Sequence, residues 1–424
     1  MQQDTVIGGA VVPPTFGEAL RVWMRIGLLS FGGPAGQIAL MHKELVENRK
    51  WIDEQRFLNA LNFCMLLPGP EAMQLATYVG WRLHGLKGGL AAGLLFVIPG
   101  ALMMLGLTMM YAAWGKLPVA EALLRIAKRA LKGNVDWLLA AAAFLAIYLF
   151  AVPFPLIVLA AALFGFMRGI GGSTGTGTQQ SAAPVAVSFG RTLATAVVWL
   201  AIWVLPLLGV AWAFGRDHVL SQIGLFFSKL AVVTFGGAYA VLAYMREAVP
   251  RDLGWGISKL EMVDALGLAE TTPGPLILVT QFVGYLAAMR NGGGDPQMMG
   301  ALGALVTTWA TFAPCFLWIF VGAPYVERLH SEPRLKAALA AVTAAVVGVI
   351  LNLTVTFAID VLSPTAVERW WGPLKLYLPE IFALSWPAVV LSGVAILMTF
   401  RLHRSIFETL GVCGALGLLW HFVR

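Results

Sequence analysis

Two short motifs, each present twice, hold most of the residues in this sequence that could do chemistry. Phe31, Gly32 and Gly33 run into Pro34, and Pro68, Gly69 and Pro70 run into Glu71. Phe235, Gly236 and Gly237, and then Pro273, Gly274 and Pro275, repeat the pair further along. Glycine weakens a helix, and proline removes a backbone donor and clashes with the preceding turn. A helix broken in this way presents free N–H groups where the next helix starts, and the dipole's positive end there favours an anion. The helices starting at Pro34, after Pro70, after Gly237 and after Pro275 offer four such ends. Nearby polar residues complete a shell: Asn59, Asn62, Gln74 and Thr77 on one side, and Thr271, Thr272, Thr280 and Gln281 on the other. Asn59 and Asn62, three apart, share one helix face. These side chains either contact a bound anion or join helices to one another.

Four titratable residues near the motifs are candidates for proton coupling: Glu71, Glu270, His42 and Glu44. An ionisable group inside a membrane span is costly and marks function by default. Glu71 directly follows the first PGP, whereas Glu270 precedes the second by three, so the halves are not chemically symmetric. Glu71 either relays protons or simply stabilises a helix N-terminus. His42 can titrate near neutrality, or it is an ordinary solvated loop residue. Arg82 and His84 read as interfacial residues whose polar ends reach water. Arg125, Lys128, Arg129 and Lys132 form one basic stripe, read as a helix on anionic headgroups or as an anion-attracting vestibule. No HExxH, Walker A or GxSxG signature and no metal-ligand spacing occurs. An enzyme is therefore the lesser expectation, with no cofactor and no metal.

Composition fixes what must position these residues. Of 424 residues, 59% are hydrophobic and 12% charged, against about a quarter charged in soluble domains. Residues 88–113 carry no charge, nor do residues 137–167, and roughly 20 apolar residues suffice to cross a bilayer. The expected fold is an all-α, polytopic membrane protein. The net charge of +7 comes from Lys and Arg set singly in short loops, as orientation in a membrane requires; it does not make a nucleic-acid surface. Tryptophans such as Trp23, Trp51, Trp114, Trp255, Trp370 and Trp371 stand near span ends, as in interfacial belts. Cys64, Cys315 and Cys413 are far apart, fit no zinc spacing and read as small buried apolar residues. The first 20 residues lack a basic segment followed by an apolar one and are not read as a cleavable signal peptide.

The chain divides into a first half (1–170), a Gly/Ser/Thr-rich linker (171–190) and a second half (191–424). The halves repeat one another. Phe31 and Phe235, Met41 and Met245, and Trp51 and Trp255 are all separated by 204 residues, as are Gly80 and Gly284. Each half should hold an apolar helix ending at FGG, a short helix (34–46 or 238–248), a polar loop with Trp, and a helix running into PGP. Another short helix leaves PGP (71–83 or 276–289), followed by a span containing Pro99 or Pro314. Further spans are expected near 133–151, 153–167, 192–214, 335–358, 379–400 and 406–423. Paired breaks in two repeats point to a binding site near the bilayer midplane. Loop charges do not decide whether the repeats are inverted, with four basic residues in the first FGG–PGP loop against three in the second. Inversion is the expected arrangement, and the oligomeric state is open to a homodimer.

Residues 30–53, 63–100 and the second-half FGGAYAVL and TTPGPLILVTQFVGY segments resemble the chromate ion transporter family. The resemblance covers nearly all of the chain outside the first 15 residues and the linker, and marks a long, two-domain member. It implies efflux of chromate from the bacterial cytoplasm across the inner membrane, with sulfate as an analogue, proton coupling, and chromate resistance. It also implies that Phe31–Pro34 and Pro68–Glu71 carry the first-half motifs and Phe235–Gly237 and Pro273–Pro275 the second. Ala238 stands where the first half has Pro34, and Leu276 where it has Glu71. Moving a dianion outward with an inside-negative potential gains ~4.6 kcal/mol per 100 mV, so export is electrically downhill. Import of sulfate or another oxyanion is the alternative and would need about three co-transported protons to make the net charge favourable.

Overall fold

The computed structural model describes residues 14–31, 33–65, 67–114, 134–168, 189–233, 238–325, 333–363, 367–372, 374–378, 384–402 and 406–423. The linker core, the basic stripe at 125–132, and Gly32, Phe235, Gly236 and Gly237 lie outside them.

In the first half, α1 (Phe16–Leu29) begins where Thr15 Oγ1 accepts from Glu18 N–H and ends at Ser30. After the FGG break come α2 (Gly33–His42), a π-helical turn (Lys43–Asn48) and α3 (Glu54–Cys64), which Asp53 caps. The PGP break leads into α4 (Glu71–Trp114). At ~1.5 Å per residue a straight α4 would be about twice a bilayer's thickness. It is not straight: His84 (φ −137°) and Gly85 (φ 59°, ψ −149°) leave the helical region, splitting α4 into arms 71–83 and 86–114. That combination at Gly85 belongs to glycine. The arms fold onto one another closely, since a Cβ on Gly80 would come within 2.4 Å of the Gly88 carbonyl oxygen. Helices α5 (Asn134–Phe150) and α6 (Phe154–Arg168) complete this half.

In the second half, α7 (Phe189–Phe214) precedes α8 (Val219–Val233), the counterpart of α1. Helix α9 (Ala238–Asp252) follows the second FGG, and α10 (Lys259–Thr271) starts at a capping box formed by Ser258 and Glu261. After the second PGP a 3₁₀ turn leads into α11 (Val279–Asn291), and α12 (Pro296–Gly322) starts at Asp295, with Pro296 in its first turn. Helices α11 and α12 fold against each other as the α4 arms do: a Cβ on Gly284 would strike Thr307 Oγ1 and lie 3.0 Å from the Gly303 carbonyl oxygen. Gly80 matches Gly284, and Gly88 matches Gly303 as Pro99 matches Pro314, so one small-residue crossing is built twice. Then come α13 (Pro333–Leu362), α14 (Trp386–Ile396) and α15 (Ile406–Val423). A two-stranded antiparallel ribbon, β1 (Val367–Trp371) and β2 (Leu374–Leu378), is the local exception to helix among the described residues.

Among the described residues, four helical stretches are long and apolar enough to cross a membrane: 71–113, 189–214, 296–325 and 340–362. Burial separates their roles. Helix α12 is largely enclosed, packing against α4, α7, α8 and α11, whereas most of the α7 surface is exposed. Trp199 of α7 stacks on Phe316 and packs obliquely on Phe320 of α12, while Trp212 and Leu205 face outward. An apolar helix with one buried stripe and an exposed remainder suits a lipid-facing position. Helices α5 and α6 instead pack against α13, so the last part of each half embraces the other.

Candidate functional site

The breaks of opposite halves meet. Ser30, the last residue before the first FGG, is fully buried, and its carbonyl accepts the N–H of Gly274 in the second PGP at 2.9 Å. Gln37 on α2 reaches the same point: its Nε2 donates to the Gly274 carbonyl and approaches the Ser30 carbonyl at 3.4 Å. Backbone unwound at membrane depth must find internal partners. Here a break in one repeat is satisfied by a break and a side chain from the other.

Each PGP also rests on the long helix of the opposite half. Gly274 (φ 88°) packs on α4, where a Cβ would stand 3.1 Å from the Phe96 carbonyl oxygen and 3.4 Å from Gly100 Cα. Gly69 (φ 111°) packs on α12, where a Cβ would stand 2.9 Å from Cys315 Sγ and 3.1 Å from Gln74 Nε2. Gly100 directly follows Pro99, and Cys315 directly follows Pro314, so the two seats are equivalent positions. Both glycines hold a left-handed backbone that a side chain would strain.

The predicted shell divides into two groups. Gln74, fully buried, donates Nε2 to the Pro68 carbonyl at 2.7 Å, and its Oε1 has no partner. Gln281, also buried, likewise has an unpartnered Oε1, as Thr311 has an unpartnered hydroxyl. The threonines behave differently: Thr77, Thr271, Thr272 and Thr280 each donate to a carbonyl three or four residues back. Asn59 is half-buried and takes a bond from Gln55 Nε2, while Asn62 is exposed. Phe31 is exposed, Gly33 (φ 71°) opens α2, and Pro34 follows in its first turn. Pro68, Pro70, Pro273 and Pro275 are buried around their glycines.

Two of the four proton-coupling candidates converge. Glu270 accepts the Tyr239 hydroxyl proton bond at 2.7 Å, and that hydroxyl faces Gly33. Glu71 lies within Coulombic reach of the same tyrosine. His42 and Glu44 are held elsewhere. His42 lies between Glu47 (3.2 Å) and Glu54 (2.5 Å), and the buried Glu44 lies between Arg25 (3.6 Å) and Arg49 (3.7 Å).

Sequence reasoning missed Ser30, Gln37, Gly100 and Tyr239, which nothing in the motifs marks. It also passed over Asp360, an acid within the apolar run of α13 that the rule for intramembrane charges should have raised. Asp360 is buried and accepts Arg246 Nε at 2.9 Å, tying α9 to α13, while the Arg246 guanidinium lies over the Phe357 ring. Of the three cysteines read as small buried apolar residues, Cys64 and Cys315 are buried, whereas Cys413 is only half-buried on α15.

A helical membrane protein whose two repeats break at matched points, and whose breaks meet at its centre, has the construction of a secondary transporter. The chain belongs to the chromate transporter family, whose model matches residues 17–166 and 221–418. It is 29% identical to a chromate transport protein of Cupriavidus metallidurans, over 84% of this chain and 86% of that one. It is 30% identical to a chromate transport protein of Pseudomonas aeruginosa, over 82% of this chain and 83% of that one. A shorter stretch is 40% identical to YwrB, an uncharacterized transporter of Bacillus subtilis, over 20% of this chain and 43% of that one. No solved structure matches the chain.

Proposed function

We propose that this protein exports chromate from the cytoplasm across the bacterial inner membrane, as a multi-pass transporter, and so confers chromate resistance. The observation that carries the reading is the meeting of the first FGG and second PGP segments, with buried Gln74 beside the first PGP offering an unpartnered atom. The substrate seats at the N-terminus of α4, among Phe31, Gly33, Pro34, Pro68, Gly69, Pro70, Glu71 and Gln74. Gln281, Thr271, Thr272 and the Pro273–Pro275 turn close it from the other half. Sulfate, also a tetrahedral dianion, competes there. Outward movement of the dianion draws on the membrane potential, gaining ~4.6 kcal/mol per 100 mV. Glu71 and Glu270 are the carboxylates that couple protons to it.

Chromate accumulation in cells expressing the protein tests the direction. Lower accumulation, lost in Gly69→Ala, supports export through the break. Unchanged or raised accumulation, with the protein verified in the membrane, overturns export in favour of uptake of another oxyanion. The repeats are taken to be inverted, and accessibility labelling at Lys50 and Gly254 checks this. Labels reacting from one side of the membrane only would overturn inversion.

A further inference from the structure

Glu71 is the first residue of α4. A carboxylate there stands at the positive end of the helix, where an oxyanion would seat. One turn further on, Gln74 is 0% exposed. Its Nε2 bond to Pro68 fixes which amide atom is which, leaving Oε1 as an acceptor with no donor. An orphaned buried acceptor is costly and calls for a donor. Neither an ionised carboxylate nor a fully ionised oxyanion can satisfy it, because both only accept. A protonated Glu71 can: a spacing of three puts both side chains on one face of the first turn.

We propose that Glu71 is a proton-operated plug of the oxyanion site. Ionised, it covers the N–H groups at the start of α4. Protonated, it turns to donate to Gln74 Oε1 and leaves those N–H groups to the substrate. Proton and oxyanion therefore bind together, each strengthening the other. The inference rests on the site lying at the first PGP.

The neighbours of Glu71 suit this role. Cys64 of α3 lies within its Coulombic reach, and Cys315 of α12 stands against Gly69. Tyr239 of α9 has committed its hydroxyl to Glu270 of α10. On α4 itself the next charged or titratable residues after Glu71 are Tyr78, then Arg82 and His84 about three turns on. Among the described residues no Lys or Arg forms an ion pair with Glu71. A proton is thus the cation that neutralises it.

Calorimetric titration of the purified full-length protein with chromate, in two buffers of different ionisation enthalpy, counts the protons exchanged. The pH is mildly alkaline, where chromate is wholly the dianion. The wild type should take up about one proton per chromate bound, with affinity weakening ~tenfold per pH unit. Glu71→Gln should bind with no proton uptake and no such slope, eluting as the wild type does on size exclusion. Binding by the wild type without proton uptake overturns the plug, as does Glu71→Gln taking up as many protons as the wild type. Gly69→Ala separates this failure from that of the site. If it keeps wild-type affinity, the site lies elsewhere and both readings fall. If it loses affinity while the wild type takes up no proton, the plug alone falls.

Discussion

Gly100→Ala probes the interlock of the two halves at a point where helix propensity and packing have opposite signs. Replacing a glycine inside a helix with alanine normally stabilises by up to about 1 kcal/mol. At Gly100 the added Cβ would stand 2.1 Å from the Pro273 carbonyl oxygen and 2.8 Å from Leu278 Cδ1. The leucine tip can rotate, but the carbonyl belongs to the second PGP, whose next residue is pinned through its N–H to Ser30. Either α4 or the break must retreat by more than ~1 Å to restore an ordinary contact, and overpacking of this kind costs about 1–3 kcal/mol. Gly106 on the same arm is the control, because a Cβ there meets nothing within 4 Å. Helix propensity acts alike on both, so the two variants should differ by the packing cost, roughly 1–3 kcal/mol, with Gly106→Ala slightly above the wild type and Gly100→Ala below it. Thermal unfolding in detergent reads the difference, and chromate accumulation in cells reads its consequence at the site. If Gly100→Ala melts with or above Gly106→Ala and transports normally, the breaks do not pack on the opposite long helix as described.

Two further substitutions follow from the same contacts. Gln37→Leu takes the side-chain donor from the buried Gly274 carbonyl and should destabilise by about 1–3 kcal/mol in unfolding measurements. Val241 occupies the equivalent position in the other half, so truncating it to Ala should cost packing alone and leave the second PGP in place. Arg246→Ala strands the buried Asp360 and should lower stability by about 3–5 kcal/mol, whereas the double change Arg246→Met with Asp360→Leu should recover most of it.

The breaks and the repeats were legible because they depend on local chemistry. Gly and Pro declare an interrupted helix wherever they stand, and an offset of 204 residues survives in the letters themselves. Partners across the halves were not legible. Gln37 and Gly274 are 237 residues apart, and a repeat offset tells which residues are equivalent, not which ones touch. The four threonines illustrate a second limit: their hydroxyls bond back to their own helices, a local option that any helical threonine has. Of the polar residues read from the sequence as a shell, the buried ones left with an unpartnered atom are Gln74 and Gln281. The ribbon at 367–378 was missed because Trp370 and Trp371 were read as belt residues. Their cross-strand neighbours Lys375 and Leu374 come from a run whose alternation is short and mixed.

The exchange of seats between the two PGP segments bears on chains of half this length. YwrB, matched over 43% of its length by a fifth of this protein, is of that size. One repeat by itself would leave the carbonyl of Ser30 and the seat on α4 without occupants, inside lipid that offers no substitute. A lone repeat therefore has to borrow a partner, either a second copy or a sister chain, and the contacts that lie within one chain here become a subunit interface there. Residues 1–170 and 191–424 of this protein, expressed as separate chains, should each be unstable alone and reassemble when made together.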